Sequence, residues 1–581
     1  MDMNAFYRYL CVFAVSAASV VASAQNLDPT VVVDRAYEGK LMEVHKPSLE
    51  MAVPDTVMRF DLDFDYSVFD NPYKGSYEFK PYLLSMKPDV ASDGSGKFYL
   101  RAGAGYQLRP ELDVVWSPVL SGKTSGLRLD VYARHRSYIG DYYLMTAGAP
   151  SEVDDMPYAV DRIWQERSGA FLSSRAGVSL GYDWKKTELE AGVGYYGKHR
   201  FLEKDFRRGY NAVDADLHLG SRSAVSQDGL VFDLDASYRY AADAAGSASD
   251  NGQLLNESNL EVGLELGTPK KAGNRFVLGL NLESDSYSGN VSGAASVASV
   301  TPSYIYEKGR LHADLGVKIS KVITDTASSP FVFNAKEQIL YPDVTVRFSM
   351  IREALLFYAK VGGGNRVYSN ADLMEHNIWL YGNDMGIGIE RISAKAGFEG
   401  RIGSRFSWNI HAGYADYASA LVDIADPYAW TRTDAPSSVG YAPYKTWAGT
   451  FGWLWKSDRF TADGSLTYRN SWGDAFVLLP AFKPASVTGD VSFEYNYNRR
   501  VFAGVDCRFS SAREGNNDSL IYKGDPFIPG YADLGLFAEY VTSGGLSFWL
   551  RGGNLLGMTI QHTPLYAEKG PYFTLGICLN L

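Results

Sequence analysis

At 581 residues the chain is long enough for several soluble domains or for one large barrel. A formal net charge of -11, with no basic run or reader motif, excludes nucleic acid as a partner. Tyrosine (40) and glycine (57) are abundant while only 3 cysteines occur, a balance that suits aromatic girdles and many strands better than a set of soluble domains.

In chain order, residues 1–24 read as a secretion signal: Arg8 supplies positive charge, Leu10 to Val21 is apolar, and Ala22-Ser23-Ala24 precedes cleavage at Gln25. The apolar run is too short to span a bilayer, and Cys11 lies inside it, so neither an inner-membrane anchor nor a lipoprotein signal is expected. Residues 25–97 form an extension punctuated by Pro29, Pro47, Pro54, Pro72, Pro81 and Pro88, hence extended and irregular. Within it, Asp28-Pro29 leads into Thr30-Val31-Val32-Val33, which resembles a TonB box, a short segment that an energising protein pairs with by strand addition. Met58, Phe60, Leu62, Phe64 and Tyr66 then alternate with Arg59, Asp61, Asp63 and Asp65, as a strand of a reduced plug or an added wall strand would.

From Phe98 onward, residues 98–581 are an array of alternating segments. Leu127, Leu129 and Val131 oppose Arg128 and Asp130; Leu260, Val262 and Leu264 oppose Glu261 and Glu265; Phe406, Trp408 and Ile410 oppose Ser407 and Asn409. Helix-period segments are missing from this stretch, and a lipid wall satisfies its backbone only if such strands close on themselves. The expectation is all-β: a transmembrane antiparallel β-barrel of about 22 strands. Short turns such as Glu307-Lys308-Gly309 alternate with long connections over Tyr138–Gly169, Gly362–Glu390, Asp416–Gly440 and Ser511–Pro529. Cys507 falls on an apolar phase and Cys578 on a polar one, so the two should face opposite sides of the wall. At the end of the chain, Phe573, Leu575, Ile577, Leu579 and Leu581 alternate with small or polar residues, as in a closing strand that carries the barrel-insertion signal.

An exported chain, a TonB-box-like segment and this number of strands together resemble a TonB-dependent receptor of the Gram-negative outer membrane. Glu390-Arg391-Ile392 ahead of Ala394-Lys395-Ala396-Gly397 is similar to plug-poor members of that group. The resemblance implies uptake or reception of a solute across the outer membrane. It also implies contact with outer-membrane lipid, the barrel-insertion machinery, a TonB-type energiser and a surface lipoprotein. Two departures stand out: Leu581 replaces the terminal aromatic more usual in the family, and the extension is about half the length of a full plug and lacks its motifs. The alternative reading is a structural or assembly barrel that conducts nothing and binds other envelope proteins.

No catalytic constellation emerges, so neither an enzyme nor a cofactor is expected. Ser121-Gly122-Lys123-Thr124 imitates the end of a P-loop, but Ser117 stands where the motif needs glycine. Asn516, Asn517, Asp518 and Asp525 are oxygen donors without the spacing of a calcium loop. Tyr158, Trp164, Trp379, Tyr381, Tyr428 and Trp430 offer rings for a ligand or for packing between loops. The most pointed feature is acidic. Glu188, Glu190, Asp214, Asp216, Asp233, Asp235, Glu261 and Glu265 share the polar phase of four successive segments and would form one arc of the lumen. Arg175 or Arg239 would neutralise part of it, and Arg35, Lys40, Lys46 and Arg59 of the extension would enter the lumen as a surrogate plug. Replacing Val32 with Pro, which removes an amide donor, should abolish cysteine cross-linking between residues 30–33 and the energiser. An undiminished cross-link would refute the strand-addition reading.

Overall fold

The computed structural model describes residues 98–581 except 119–126, 151–159, 185, 203–205, 222–229, 247–252, 290–291, 325–337, 378, 381–384, 426–436, 479–480, 515–526, 543, 564–565 and 569. The secretion signal, the TonB-box-like Thr30–Val33, the rest of the extension and the P-loop-like turn lie outside the described residues.

Alternation is realised as a wall of 22 antiparallel strands. The first six are β1 (Phe98–Tyr106), β2 (Glu111–Trp116), β3 (Leu127–Pro150), β4 (Val160–Asp183), β5 (Thr187–Leu202) and β6 (Phe206–Ser221). Next come β7 (Val231–Gly246), β8 (Gln253–Gly267), β9 (Asn274–Gly289), β10 (Gly293–Lys308), β11 (Leu311–Thr324) and β12 (Leu340–Ile351). They are followed by β13 (Leu355–Tyr368), β14 (Gly386–Ile402), β15 (Phe406–Ala425), β16 (Ser437–Lys456) and β17 (Phe460–Trp472). The last five are β18 (Val487–Tyr497), β19 (Val501–Ser510), β20 (Tyr531–Val541), β21 (Leu546–Gly553) and β22 (Tyr572–Asn580). Two helices occur among the described residues, α1 (Asn370–His376) and α2 (Ala475–Leu478), both in connections.

Each strand pairs with its sequence neighbours, and β22 also pairs with β1 from Tyr99↔Asn580 to Tyr106↔Phe573. Phe98 and Leu581 exchange backbone hydrogen bonds of 3.0 and 2.9 Å, so both ends of the barrel sit at one rim. That rim carries tight turns, including Gly309-Arg310 between β10 and β11, where Gly309 adopts φ +66°. The opposite rim carries the long connections.

Two of those connections are shorter than the sequence suggests. Strands β3 and β4 stay paired through Tyr138↔Phe171 to Pro150↔Val160, and β15 and β16 through Ala425↔Ser437. Beyond the lipid a strand no longer needs an apolar face, so its period fades while its backbone ladder continues.

One face of the wall is apolar and open outward: Leu575 and Leu581 are 65% and 61% exposed, and Val193, Val213, Phe276 and Ile410 also point out. On β16, Trp447 and Trp455 both face outward, eight residues apart. At the usual rise and tilt this is about 20 Å of height, close to the thickness of a barrel's apolar band. Trp447 packs on Tyr468 (5.2 Å between centroids) and Phe460 on Tyr495 (4.9 Å), giving an aromatic girdle at each level. Above the upper girdle, Arg391 and Lys445 reach Asp416 at 3.3 and 3.5 Å, marking where the outer face becomes aqueous. Cys507 shares the outward phase of β19 with Val501 and Val505, whereas Cys578 is buried inside with Phe502, Phe537 and Trp549.

The barrel should migrate faster unheated than boiled on denaturing gels. Deleting Phe573–Leu581 should abolish its insertion, since β1 and β21 would both lose their partner. Recovery of heat-modifiable barrel without that strand would refute closure by β22.

Candidate functional site

In the connection between β13 and β14, the described residues 369–377, 379–380 and 385 turn into the barrel. Ser369 caps α1, accepting from the Asp372 amide (3.1 Å), while Asp372 accepts from the Ser369 amide (3.2 Å). Arg366 on β13 holds the same Asp372 at 2.8 Å, so the helix begins on a clamped turn. Around Leu373, Met374 and Leu380 an apolar cluster runs from Tyr196, Tyr210 and Tyr287 of β5, β6 and β9 to Leu421 and Tyr441 of β15 and β16. Those wall residues belong to well-separated parts of the cylinder, so the connection crosses the lumen instead of covering its rim.

Buried charge locks it there. Arg208 bonds Asp243 in a two-pronged pair (3.1 Å for the Nε arm), and the Asn370 amide donates to the same carboxylate at 2.9 Å. Both side chains of the pair are almost completely buried, at 1% and 0% exposed. Glu257 accepts from the Ala371 amide (3.4 Å) and from the Tyr287 hydroxyl (3.3 Å), and Glu283 accepts from the Val367 amide (3.3 Å). Glu375 is held by Arg175 at 3.0 Å and Lys198 at 3.1 Å. Burial alone would raise this carboxyl, but Lys198, the Tyr196 hydroxyl and Arg175 outweigh it and bring it down to about 2. At the far end, His376 meets Asp423 at 2.6 Å, and Arg513, from the connection before β20, meets the same Asp423 at 2.8 Å.

Trp379 is the one ring of the aromatic set whose side chain is described, and it packs elements together. It stacks on Tyr566 (4.3 Å, 14°), lies edge-on to Tyr142, and carries Arg200 over its face at 3.9 Å. The oxygen donors Asn516, Asn517, Asp518 and Asp525 lie outside the described residues.

The acidic arc is assembled by the register. Glu188, Glu190, Asp214, Asp216, Asp233, Asp235, Glu261 and Glu265 all lie on the phase opposite outward Val193, Val213, Tyr238 and Leu260. Glu265 is directly across from Asp233, and Glu261 from Glu283, which with Asp285 extends the arc onto β9. Glu188, Glu190, Asp233, Asp235 and Glu265 sit within a few residues of the tight-turn rim, below the crossing connection. Part of the charge is answered locally. Arg239 pairs with Asp214 as expected, but Arg175 is committed to Glu375, and Arg128 instead reaches Glu190 at 2.8 Å. His218 lies 2.7 Å from Asp235, 3.4 Å from Asp233 and 3.9 Å from Glu188. Ligand atoms of His218, Asp233 and Asp235 converge within 4.8 Å, the one such grouping among the described residues.

The insertion-signal residues Phe573, Leu575, Ile577, Leu579 and Leu581 all take the outward phase of β22. The crossing connection departs from the sequence expectation, in which Gly362–Glu390 reads as an outer loop. A signal was present: Ser369-x-x-Asp372 is a capping pattern, and Leu373, Met374, Trp379, Leu380, Met385, Ile387 and Ile389 are too many apolar residues for a solvated loop.

No family model matches the chain, and no curated protein is similar to it in sequence. Solved structures do match in fold. A mutant of the ferric enterobactin receptor of Pseudomonas aeruginosa superposes with a TM-score of 0.59 at 10% identity, over 84% of this chain and 80% of its own. The FrpB iron transporter of Neisseria meningitidis gives 0.61 at 12% identity, over 84% and 81%. The copper transporter OprC gives 0.58 at 11% identity, over 83% and 80%. All three are transporters or receptors, and what is shared at this identity is the barrel.

Replacing Asp243 with Leu strands the buried Arg208 charge, a loss of about 3–5 kcal/mol. Chymotrypsin should then cut at Trp379, which is protected in the native barrel, and Asp243→Asn should be cut at an intermediate rate. Unchanged protection would refute the lock. Glu375 works on the acid side. Its folded pKa lies below its unfolded value, so its contribution is complete above about 4.3 and fades as the pH falls toward its folded value. Docking, followed as Trp379 fluorescence against Trp379→Phe, should weaken over that window, and Glu375→Gln should remove the step.

Proposed function

We propose that this barrel takes up or receives a solute across the outer membrane in the manner of TonB-dependent receptors. The β13–β14 connection then serves as the gate. The observation that carries the reading is this gate, bonded to β4–β9 and packed on β15 and β16, above a carboxylate-lined space near the tight-turn rim. A wall built only to scaffold other proteins has no need for a charged lumen closed by a separately capped and latched segment. The shared fold with an enterobactin receptor, an iron transporter and a copper transporter supports the same direction.

In this arrangement the tight-turn rim faces the periplasm, as short turns do in such barrels. The chain enters the wall at Phe98 on that side, which leaves residues 25–97 within reach of a periplasmic energiser through Thr30–Val33. The acidic arc makes the lower lumen attractive to cations, and the segment bearing Arg35, Lys40, Lys46 and Arg59 is a candidate to enter it. A surface lipoprotein and the barrel-insertion machinery complete the expected partners, the latter through β22. The latch provides a route to opening. A ligand held by the outer connections that draws Arg513 from Asp423 loosens His376 and with it the end of α1.

Exchanging Asn370–His376 for a Gly-Ser linker of equal length should turn a poorly conducting barrel into a cation-selective one in planar bilayers. Asp233→Asn with Asp235→Asn should weaken that selectivity, and removing residues 25–97 in the same background should raise the conductance further. A linker variant that conducts no better than the native protein would overturn the gate. Stable co-purification with envelope proteins together with that result would favour the structural alternative.

A further inference from the structure

At the tight-turn ends of β5, β6 and β7 the wall brings an imidazole and three carboxylates together. Leu217 and Tyr238 point outward, so His218 on β6 and Asp233 and Asp235 on β7 take the lumenal phase. The register sets Asp235 directly across from His218 and Asp233 across from Gly220. On the other side of β6, Glu188 is also across from Gly220. A Cβ at Gly220 would lie 3.1 Å from His218 Nε2 and 3.7 Å from Glu188 Oε1, so the glycine leaves both side chains the room they use.

Both aspartates turn to the same ring atom. His218 Nδ1 donates to Asp235 Oδ1 at 2.7 Å and lies 3.4 Å from Asp233 Oδ1. The one proton goes to Asp235: among the described residues, Asp233 Oδ1 is shielded from water and accepts no hydrogen bond. Nor is any described lysine or arginine within ion-pair reach of Asp233, Asp235 or Glu188. A dication at Nδ1 satisfies both carboxylates where a proton satisfies one. Metal bonds of about 2.0–2.2 Å to imidazole and carboxylate place neighbouring ligand atoms about 3 to 3.5 Å apart. The contact to Asp233 already has that spacing, and the one to Asp235 has only to open slightly. With Nδ1 on a cation the ring proton sits on Nε2, which faces Glu188 at 3.9 Å, the carboxylate placed to steady the ring from behind.

We propose that His218, Asp233 and Asp235 bind a divalent transition-metal cation of the size and softness of Zn2+, with solvent of the lumen completing its shell. An imidazole beside two carboxylates favours such a cation over Mg2+ or Ca2+, which take all-oxygen shells. The site goes beyond the reading of the barrel as a passage and does not depend on it, because it lies beside the tight-turn rim and below the crossing connection.

The test uses the purified full-length barrel, stripped with EDTA, and Zn2+ alone. Diethyl pyrocarbonate acylates an imidazole nitrogen that has a free lone pair, and each histidine is quantified by peptide mass spectrometry. Equimolar Zn2+ should slow modification of His218 about tenfold or more, since Nδ1 is then on the metal and Nε2 carries the proton. His312, at the same rim and 3.9 Å from Glu307, should keep its rate. Mg2+ in roughly a hundredfold excess should leave the protection intact. Asp233→Asn with Asp235→Asn should abolish it in a barrel that still shows heat-modifiable migration. Unchanged His218 reactivity in the native protein, equal slowing at His312, displacement by Mg2+, or protection that survives the double substitution overturns the site. Protection in a barrel whose gate-replaced variant does not conduct keeps the site and overturns the passage reading; conduction without protection does the reverse.

Discussion

A wall in lipid has no water to satisfy its amides and carbonyls, and this protein's architecture follows from that shortage. Each backbone group must find a partner in a neighbouring strand, and the last strand must find the first. Pairing of β22 with β1, sealed by the reciprocal bonds of Phe98 and Leu581, meets the condition. Closure removes both sheet edges, fixes an even strand number with both ends at one rim, and divides every strand into a face for lipid and a face for the lumen. The outward tryptophans, the ion cluster at Asp416 and the inward carboxylates are then assigned by phase alone.

Closing so many strands creates a second problem, a wide interior. The barrel answers it with the β13–β14 connection, which brings its own apolar residues and partners for the buried charges of the wall. Arg208, Asp243 and Glu257 on the wall would be costly as isolated buried groups. With Asn370, Ala371 and Tyr287 in place, both carboxylates accept hydrogen bonds and Arg208 stays paired to Asp243. Such networks add little net stability compared with apolar packing, but removing one member is severe. That asymmetry holds the segment in a single position.

The lumen is chemically uneven. Carboxylates gather near the tight-turn rim on β5–β8, while Lys360, Lys395 and His411 share a patch on β13–β15. His218, Arg128 and Arg239 temper the acidic side without cancelling it. A lumen arranged this way presents different chemistry to a solute on different sides, which a uniformly hydrated tube would not.

The sequence by itself determined the class of fold, the strand number and the face of nearly every wall residue. A period of two is a local property, and the demand for an apolar outer face writes it into each strand separately. It therefore placed Asp233 and Glu265 in the lumen and Cys507 and Cys578 on opposite faces. It overestimated the connections after Tyr138 and Asp416, because strands that leave the lipid lose their alternation while keeping their ladder. Only the tertiary structure decided the register that sets Glu265 across from Asp233 and Lys360 across from Lys395, and only it showed α1, Trp379 and Leu380 inside the barrel. Asn370, Glu375 and Trp379 carry no local mark of the partners they meet. Their partners, Asp243, Lys198 and Tyr566, lie more than a hundred residues away, and nothing local in a chain encodes a contact made across a closed cylinder.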